Sequence, residues 1–168
     1  MKYYVTFSCG HEGEVNLYGK AAERDRRIAW YEKEGICPDC YRKIKEEERK
    51  QADEELAAYA DKIETEYNLP ELEGTEKQVA WARKIRAGAI KNFEANEGWL
   101  FKEFIALRLG KPEETIFYRR QIKHGATPEE AKAATLANAE ACKYDFAFID
   151  RLFTKTSAAW FIDNRDRL

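Results

Sequence analysis

Three of the four cysteines and one of the two histidines fall into two short clusters, Cys9-Gly10-His11 and Cys37-Pro38-Asp39-Cys40, separated by 25 residues. Three thiols and one imidazole form the soft four-donor set that structural zinc takes in a tetrahedron. Glycine and proline between the donors suit tight turns that each present a pair of ligands. The single residue between Cys9 and His11 is one fewer than the usual spacing. The alternatives for these residues are reduced cysteines of an intracellular protein or a disulfide; two clusters with a histidine favour the metal. With four protein ligands no position is left for water or substrate, so the expected ion is one structural Zn2+ per chain and not a catalytic one. Its binding would contribute roughly 10–16 kcal/mol to folding a segment too short for a core of its own. Cys142 stands apart in an alanine-rich stretch and reads as a small core residue.

The elements that must carry these ligands follow from local pattern. Residues Tyr3 to Ser8 alternate aromatic and β-branched side chains, and Glu14 to Tyr18 reads as a second strand. A helix is expected from about Lys20, stopped by Gly35, with Cys37-Pro38-Asp39-Cys40 as a turn. A long helix should follow to about Tyr67. Its middle is polar all round, while Leu56, Tyr59, Ile63 and Tyr67 make one apolar stripe. That stripe fits either packing within the chain or a helix-mediated homodimer. Beyond Pro70 and Gly74 every signal is helical. Thr75 with Gln78 forms a capping box, and Val79, Ala82, Ile85, Ala89 and Phe93 recur at helical spacing. Trp99 to Leu109 makes the next helix. Pro112 is expected in the first turn of one ending at Gly125, Thr127-Pro128 starts another, and segments from Phe146 and Ser157 complete the chain. The fold class is therefore mostly α: a zinc ribbon of short β-hairpin plus helix over 1–41, a long polar linking helix and linker over 42–74, and a helical bundle over 75–168. Trp81 and Trp160 could pack together across two helices, with Arg86 and Asp163 or Arg165 at the rim; a ligand pocket lined by Trp81, Trp160 and Arg86, or a partner-binding surface, is the alternative.

The 168 residues carry 29 basic and 31 acidic side chains, a net charge of -2 that argues against a general nucleic-acid coat. Residues 1–74 hold 12 basic and 18 acidic groups and residues 75–168 hold 17 and 13, which suggests two modules with different surfaces. Arg83, Lys84 and Arg86, and Arg119, Arg120 and Lys123, are the clusters that could contact phosphate or a partner, against solvated helix faces as the alternative. No apolar run approaches the length of a membrane span, and no apolar leader precedes Cys9, so a soluble, cytoplasmic protein is expected. There is no phosphate-binding glycine loop, metalloprotease motif or nucleotide-binding fingerprint, and a non-enzymatic role is expected.

Longer stretches resemble one family. Phe7-Ser8-Cys9-Gly10-His11-Glu12-Gly13, Leu17-Tyr18-Gly19-Lys20, Glu23-Arg24 and Cys37-Pro38-Asp39-Cys40-Tyr41 are similar to small zinc-ribbon proteins of phages, plasmids and integrative elements of gut Firmicutes. So are the segment from Leu72 through Thr75-Glu76-Lys77-Gln78-Val79-Ala80-Trp81 to Arg86, and Ala159-Trp160-Phe161-Ile162-Asp163-Asn164-Arg165. The resemblance implies a counter-defence protein of a mobile element acting in a bacterial host. In its sharpest form it would be an anti-CRISPR inhibitor that binds a host protein or protein–nucleic-acid complex. A nucleic-acid-binding accessory or regulatory protein is the alternative.

Overall fold

A computed structural model describes the backbone of all 168 residues and the side chains of all but Tyr144 and Asp145. The chain divides into two compact units, Met1–Glu54 and Glu55–Leu168.

In the first unit, β1 (Lys2–Thr6) pairs antiparallel with β2 (Glu12–Asn16), with Tyr3 opposite Val15 and Val5 opposite Gly13. Alternation along β1 sends Val5 inward, and Phe7 beyond it, while Lys2, Tyr4 and Thr6 face water. The helix α1 (Ala21–Lys33) lays Ile28 and Tyr31 against this side, and the Tyr31 ring meets Phe7 edge-on at 5.6 Å. Gly35 follows because its backbone lies against Tyr31: a Cβ there would come within 2.7 Å of the Tyr31 Cα. Few side chains are buried in this unit, chiefly Val5, Phe7, Leu17 and Cys37. A core that small does not hold a fold by apolar burial alone.

Cys37-Pro38-Asp39-Cys40 is not a separate turn. The helix α2 (Pro38–Glu66) begins at Pro38, which suits the first helical position, so Cys40 sits in its first turn. Every residue from 41 to 55 is exposed, as the polar composition requires.

In the second unit the end of α2 turns inward. Ala60 and Ile63 are buried, and Leu56, Tyr59 and Tyr67 pack against the same core. The apolar stripe is thus covered within the chain. The helix α3 (Glu76–Asn96) starts at the expected capping box, Thr75 accepting from the Gln78 N–H and Gln78 accepting from the Thr75 N–H. It packs on α8 (Ala158–Asn164) and α4 (Gly98–Arg108). Rings of Tyr67, Phe93, Phe101, Phe104 and Phe153 meet at 5.1–6.4 Å and form the centre. Pro112 opens only one 3-10 turn. The helix α5 (Ile116–Lys123) begins instead at Thr115, whose extended backbone and hydroxyl cap the Tyr118 N–H. After α6 (Pro128–Ala141) and α7 (Lys143–Thr154), the chain returns to the seam: the Glu73 N–H donates to the Thr156 carbonyl at 2.7 Å and the Ala158 N–H to Glu73 at 3.0 Å. Among the described residues no helix is long and apolar enough to cross a membrane.

The unit boundary changes the charge picture. Residues 1–54 hold 11 basic and 12 acidic groups and residues 55–168 hold 18 and 19, so each unit carries -1. The acidic excess ahead of Pro70 sits on the end of α2 and the seam, inside the second unit.

Candidate metal centre

The turn after β1 is fixed by its own backbone. Phe7 N–H donates to the His11 carbonyl at 2.9 Å and Gly10 N–H to Phe7 at 2.8 Å, with Gly10 at φ +80° where only glycine is unstrained. Ser8 ties this turn to the loop before α2, donating through both its amide (2.9 Å) and its hydroxyl (2.8 Å) to the Gly35 carbonyl. The two clusters are thereby brought face to face. Ligand atoms of Cys9, His11, Cys37 and Cys40 all lie within 4.8 Å of one another, close enough to bind a metal ion.

The first cluster presents Nδ1 of His11, which lies 3.4 Å from Cys40 Sγ. Backbone donors point at two of the sulfurs: Cys37 N–H donates to Cys9 Sγ and Cys40 N–H to Cys37 Sγ, each at 3.4 Å. Such bonds favour the thiolate and orient it. The Cys37 amide, with the His11 side chain, holds the Cys9 thiol down at about 6. Cys40 is pushed up to about 11, by its hydrogen bond with Cys37 first and by desolvation second. A bound cation reverses such a rise, because a coordinating thiol gives up its proton outright. Cys37 is buried, Cys9 and Cys40 are partly buried, and His11 is exposed. All four cysteines are free thiols. Cys142 caps the end of α6 and lines a cavity of about 70 Å3 with Trp99, Leu107, Phe117 and Phe146.

The basic residues singled out from sequence part company in the structure. Arg86 is 2% exposed; it donates to Glu64 at 2.6 Å and to the Pro70 carbonyl at 2.8 Å. Burial weakens its hold on its proton, and the Glu64 carboxylate offsets part of that loss. Arg83 grips the same Glu64 through Nε and a terminal nitrogen and also reaches Asp61. Burial alone would raise the Glu64 carboxyl, but bonds and charge from both arginines outweigh it and hold the group below its ordinary range. These two arginines therefore clamp α2 and the seam onto α3. Lys84 is exposed on α3, and Arg119, Arg120 and Lys123 are exposed on α5.

Trp81 and Trp160 do not pair: among the described residues no ring contact joins them. Trp81 is 48% exposed with the Arg165 guanidinium 5.4 Å from its centre, while Trp160 meets Phe161 edge-on at 5.1 Å. Arg86 does not reach Asp163 or Arg165, because five helical residues turn it about 140° from Trp81. Sequence reasoning missed Glu64 and Asp61, whose partners lie 19 and 22 residues away across the Pro70 turn.

No family model matches this sequence, and neither the curated proteins nor the solved structures provide a match.

Proposed function

We propose that the Cys9, His11, Cys37, Cys40 centre holds one structural Zn2+, and that the protein is a non-catalytic binding protein acting on a protein–nucleic-acid complex. The observation that carries the reading is the convergence of four protein donors on one point. Zinc–sulfur bonds of about 2.3 Å and zinc–nitrogen bonds of about 2.0–2.1 Å give tetrahedral edges of about 3.8 Å between sulfurs and about 3.5 Å from sulfur to nitrogen. The Cys40–His11 separation of 3.4 Å fits the second edge. Cys9, Cys37, Cys40 and Nδ1 of His11 would hold the ion, which stabilises the hairpin and the start of α2 and supplies no open position for substrate.

What the ion would hold in place is a surface. The first unit leaves Trp30, Ile36, Tyr41 and Ile44 between 39% and 55% exposed, large apolar side chains of the kind that anchor protein interfaces. The narrower form of the reading is a mobile-element protein that inhibits a defence nucleoprotein of its bacterial host, a CRISPR effector above all. Support for that form comes from the sequence resemblance. Metal analysis of purified protein should give about one zinc per chain, lost in Cys37→Ser. Co-purification with candidate effectors, and nuclease assays at excess protein, test the partner; the reading fails if no nucleoprotein is retained and none loses activity.

A further inference from the structure

Many cations on the helices of this chain stand one turn from an acid and pair with it, as Arg42 does with Asp39 at 2.7 Å, Lys45 with Glu48 at 2.7 Å and Lys50 with Glu46 at 3.2 Å. The helix α5 departs from that pattern. It is the one α-helix of the chain that carries cations and no acid, and none occurs anywhere between Glu114 and Glu129. Ile116, Arg119, Arg120 and Lys123 fall within about 100° of one another around its axis, and all four are exposed. Among the described residues, the side chains of Arg119, Arg120 and Lys123 take part in no ion pair, hydrogen bond or ring contact. The neighbouring acids are engaged elsewhere. Glu103 accepts from the Ile116 N–H at 2.6 Å, Glu114 holds Lys111 at 3.2 Å, and Glu130 accepts from the Thr127 N–H at 2.8 Å. On the α4 side a groove sets Lys102 and Arg119 among Glu94, Glu103 and Glu114, so the single-sign patch ends there.

The fold holds this helix firmly. Thr115, 1% exposed, donates its hydroxyl to the Pro112 carbonyl at 2.6 Å and accepts from the Tyr118 N–H at 3.1 Å. At the other end the Ala126 N–H closes on the Gln121 carbonyl at 3.1 Å. Phe117, Tyr118 and Gln121, on the opposite side, are half-buried, and Phe117 lines the small cavity beside Cys142. The three cations therefore project from a docked element whose apolar side is already used. The negative end of the helix dipole accounts for basic groups in the last turn, Arg120 and Lys123, but leaves Arg119 unexplained.

We propose that the outer face of α5, through Arg119, Arg120 and Lys123, grips the phosphate backbone of a nucleic-acid duplex without reading its sequence. The inference rests on the reading of the protein as a module that meets a protein–nucleic-acid complex, and it names the nucleic-acid contact. Cations with no acid among them complement a row of phosphates, and the arginine fork matches phosphate oxygens. A protein partner would need an apolar centre to the interface, whereas this face offers three charges and the single apolar chain of Ile116. A membrane would need the apolar side of the helix, which is packed into the bundle. An unpaired strand is bound by stacking its bases on exposed rings, and this face presents none.

The test uses the full chain and fluorescein-labelled duplexes of about 20 base pairs, one DNA and one RNA, followed by anisotropy between about 50 and 200 mM salt. Three phosphate contacts at about 0.9 per contact predict a log–log slope near -2.7 on DNA, or about a forty-fold loss of affinity across that range. Binding to either duplex supports the proposal, and the tighter of the two identifies the source of the phosphates. The variant Arg119→Gln/Arg120→Gln/Lys123→Gln should lose more than about tenfold in affinity, with a slope shallower than about -1. Its thermal midpoint should stay at that of wild type, because the three side chains hold nothing within the chain. Arg120→Gln alone should flatten the slope by about 0.9, a readout that misfolding does not produce. Removing charge from the exposed stretch of α2, in Lys43→Gln/Arg49→Gln, should leave affinity within about twofold. The proposal is overturned by no duplex binding at about 50 mM salt, by an unchanged slope in the α5 variants, or by equal loss in the α2 variant. Tighter binding to single strands of the same length or to vesicles containing phosphatidylserine overturns it as well, as does a preference above about tenfold between unrelated duplex sequences. If the α5 triple variant still retains the nucleoprotein as wild type does, this inference falls and the broader reading stands. If duplex binds but no nucleoprotein is retained, the reverse holds.

Discussion

Replacing Glu64 should cost far more than replacing Arg86, although the two residues share a bond of 2.6 Å. Glu64→Ala takes the carboxylate away from two guanidinium groups that differ in exposure. Arg83 has a side chain 32% exposed and keeps Asp61, so water and a second carboxylate relieve it. Arg86, 2% exposed, is left with the Pro70 carbonyl as its partner. Orphaning one member of a buried ion pair costs about 3–5 kcal/mol. The Glu64 side chain is 25% exposed, so water reaches the emptied position and the lower end, about 3 kcal/mol, is expected. Arg86→Met behaves differently. Glu64 stays paired with Arg83, an unbranched apolar chain refills the space, and one bond to Pro70 is lost, for about 1 kcal/mol. The predicted gap of about 2 kcal/mol is roughly a thirty-fold difference in the opening equilibrium. Native-state hydrogen exchange at the buried Ala87 and Ile90 amides of α3 reads it within the second unit, without assuming that both units unfold together. Equal costs, or a greater cost for Arg86→Met, would refute the reasoning.

Three further outcomes follow from the same structure. Gly88→Ala should stabilise α3 by about 0.5–1 kcal/mol, read as an increase in thermal midpoint, because a methyl group there meets open space. Cys37→Ser should expose the first unit to proteolysis while hydrogen exchange in α3 stays unchanged; loss of α3 protection would mean that the two units do not fold independently. Because the Glu64 carboxyl lies below its ordinary value, its contribution is complete above the unfolded value of about 4.5 and is lost as pH falls through the folded one. Acid titration of the Glu64→Gln variant should therefore show a shallower fall in stability below about pH 4.5 than wild type.

Local chemistry was legible in the sequence, and long-range pairing was not. The caps at Thr75 and Thr127 were readable because donor and acceptor lie three residues apart, whereas Ser157 was read only as the start of a helix that its hydroxyl in fact caps. The ligand set was readable because few residues besides cysteine and histidine offer soft donors. The clamp on Arg86 was hidden, since nothing local distinguishes Glu64 from the other acids of α2. The expected boundary at Pro70 and Gly74 followed the rule that proline and glycine separate modules. In the structure they make a tight seam inside the second unit, clipped to the start of α8, and the division falls within an unbroken helix. Pro112 misled for a related reason: it fits a first turn, but the Thr115 hydroxyl three residues later is the stronger start signal.

The pairing of Glu73 with Ser157 also sets an order of events. During synthesis Cys9, His11, Cys37 and Cys40 are all available once Cys40 has emerged, so the hairpin unit can close early. The inner face of α3 has no such freedom. Ala158 and Phe161, both completely buried, reach it only after more than 60 further residues have followed Asn96. Until then Ala82 and Ile90 wait beside an unfinished wall. The growing chain would thus carry a closed hairpin unit ahead of a bundle that is still sticky, the stage at which chaperones and proteases find substrates.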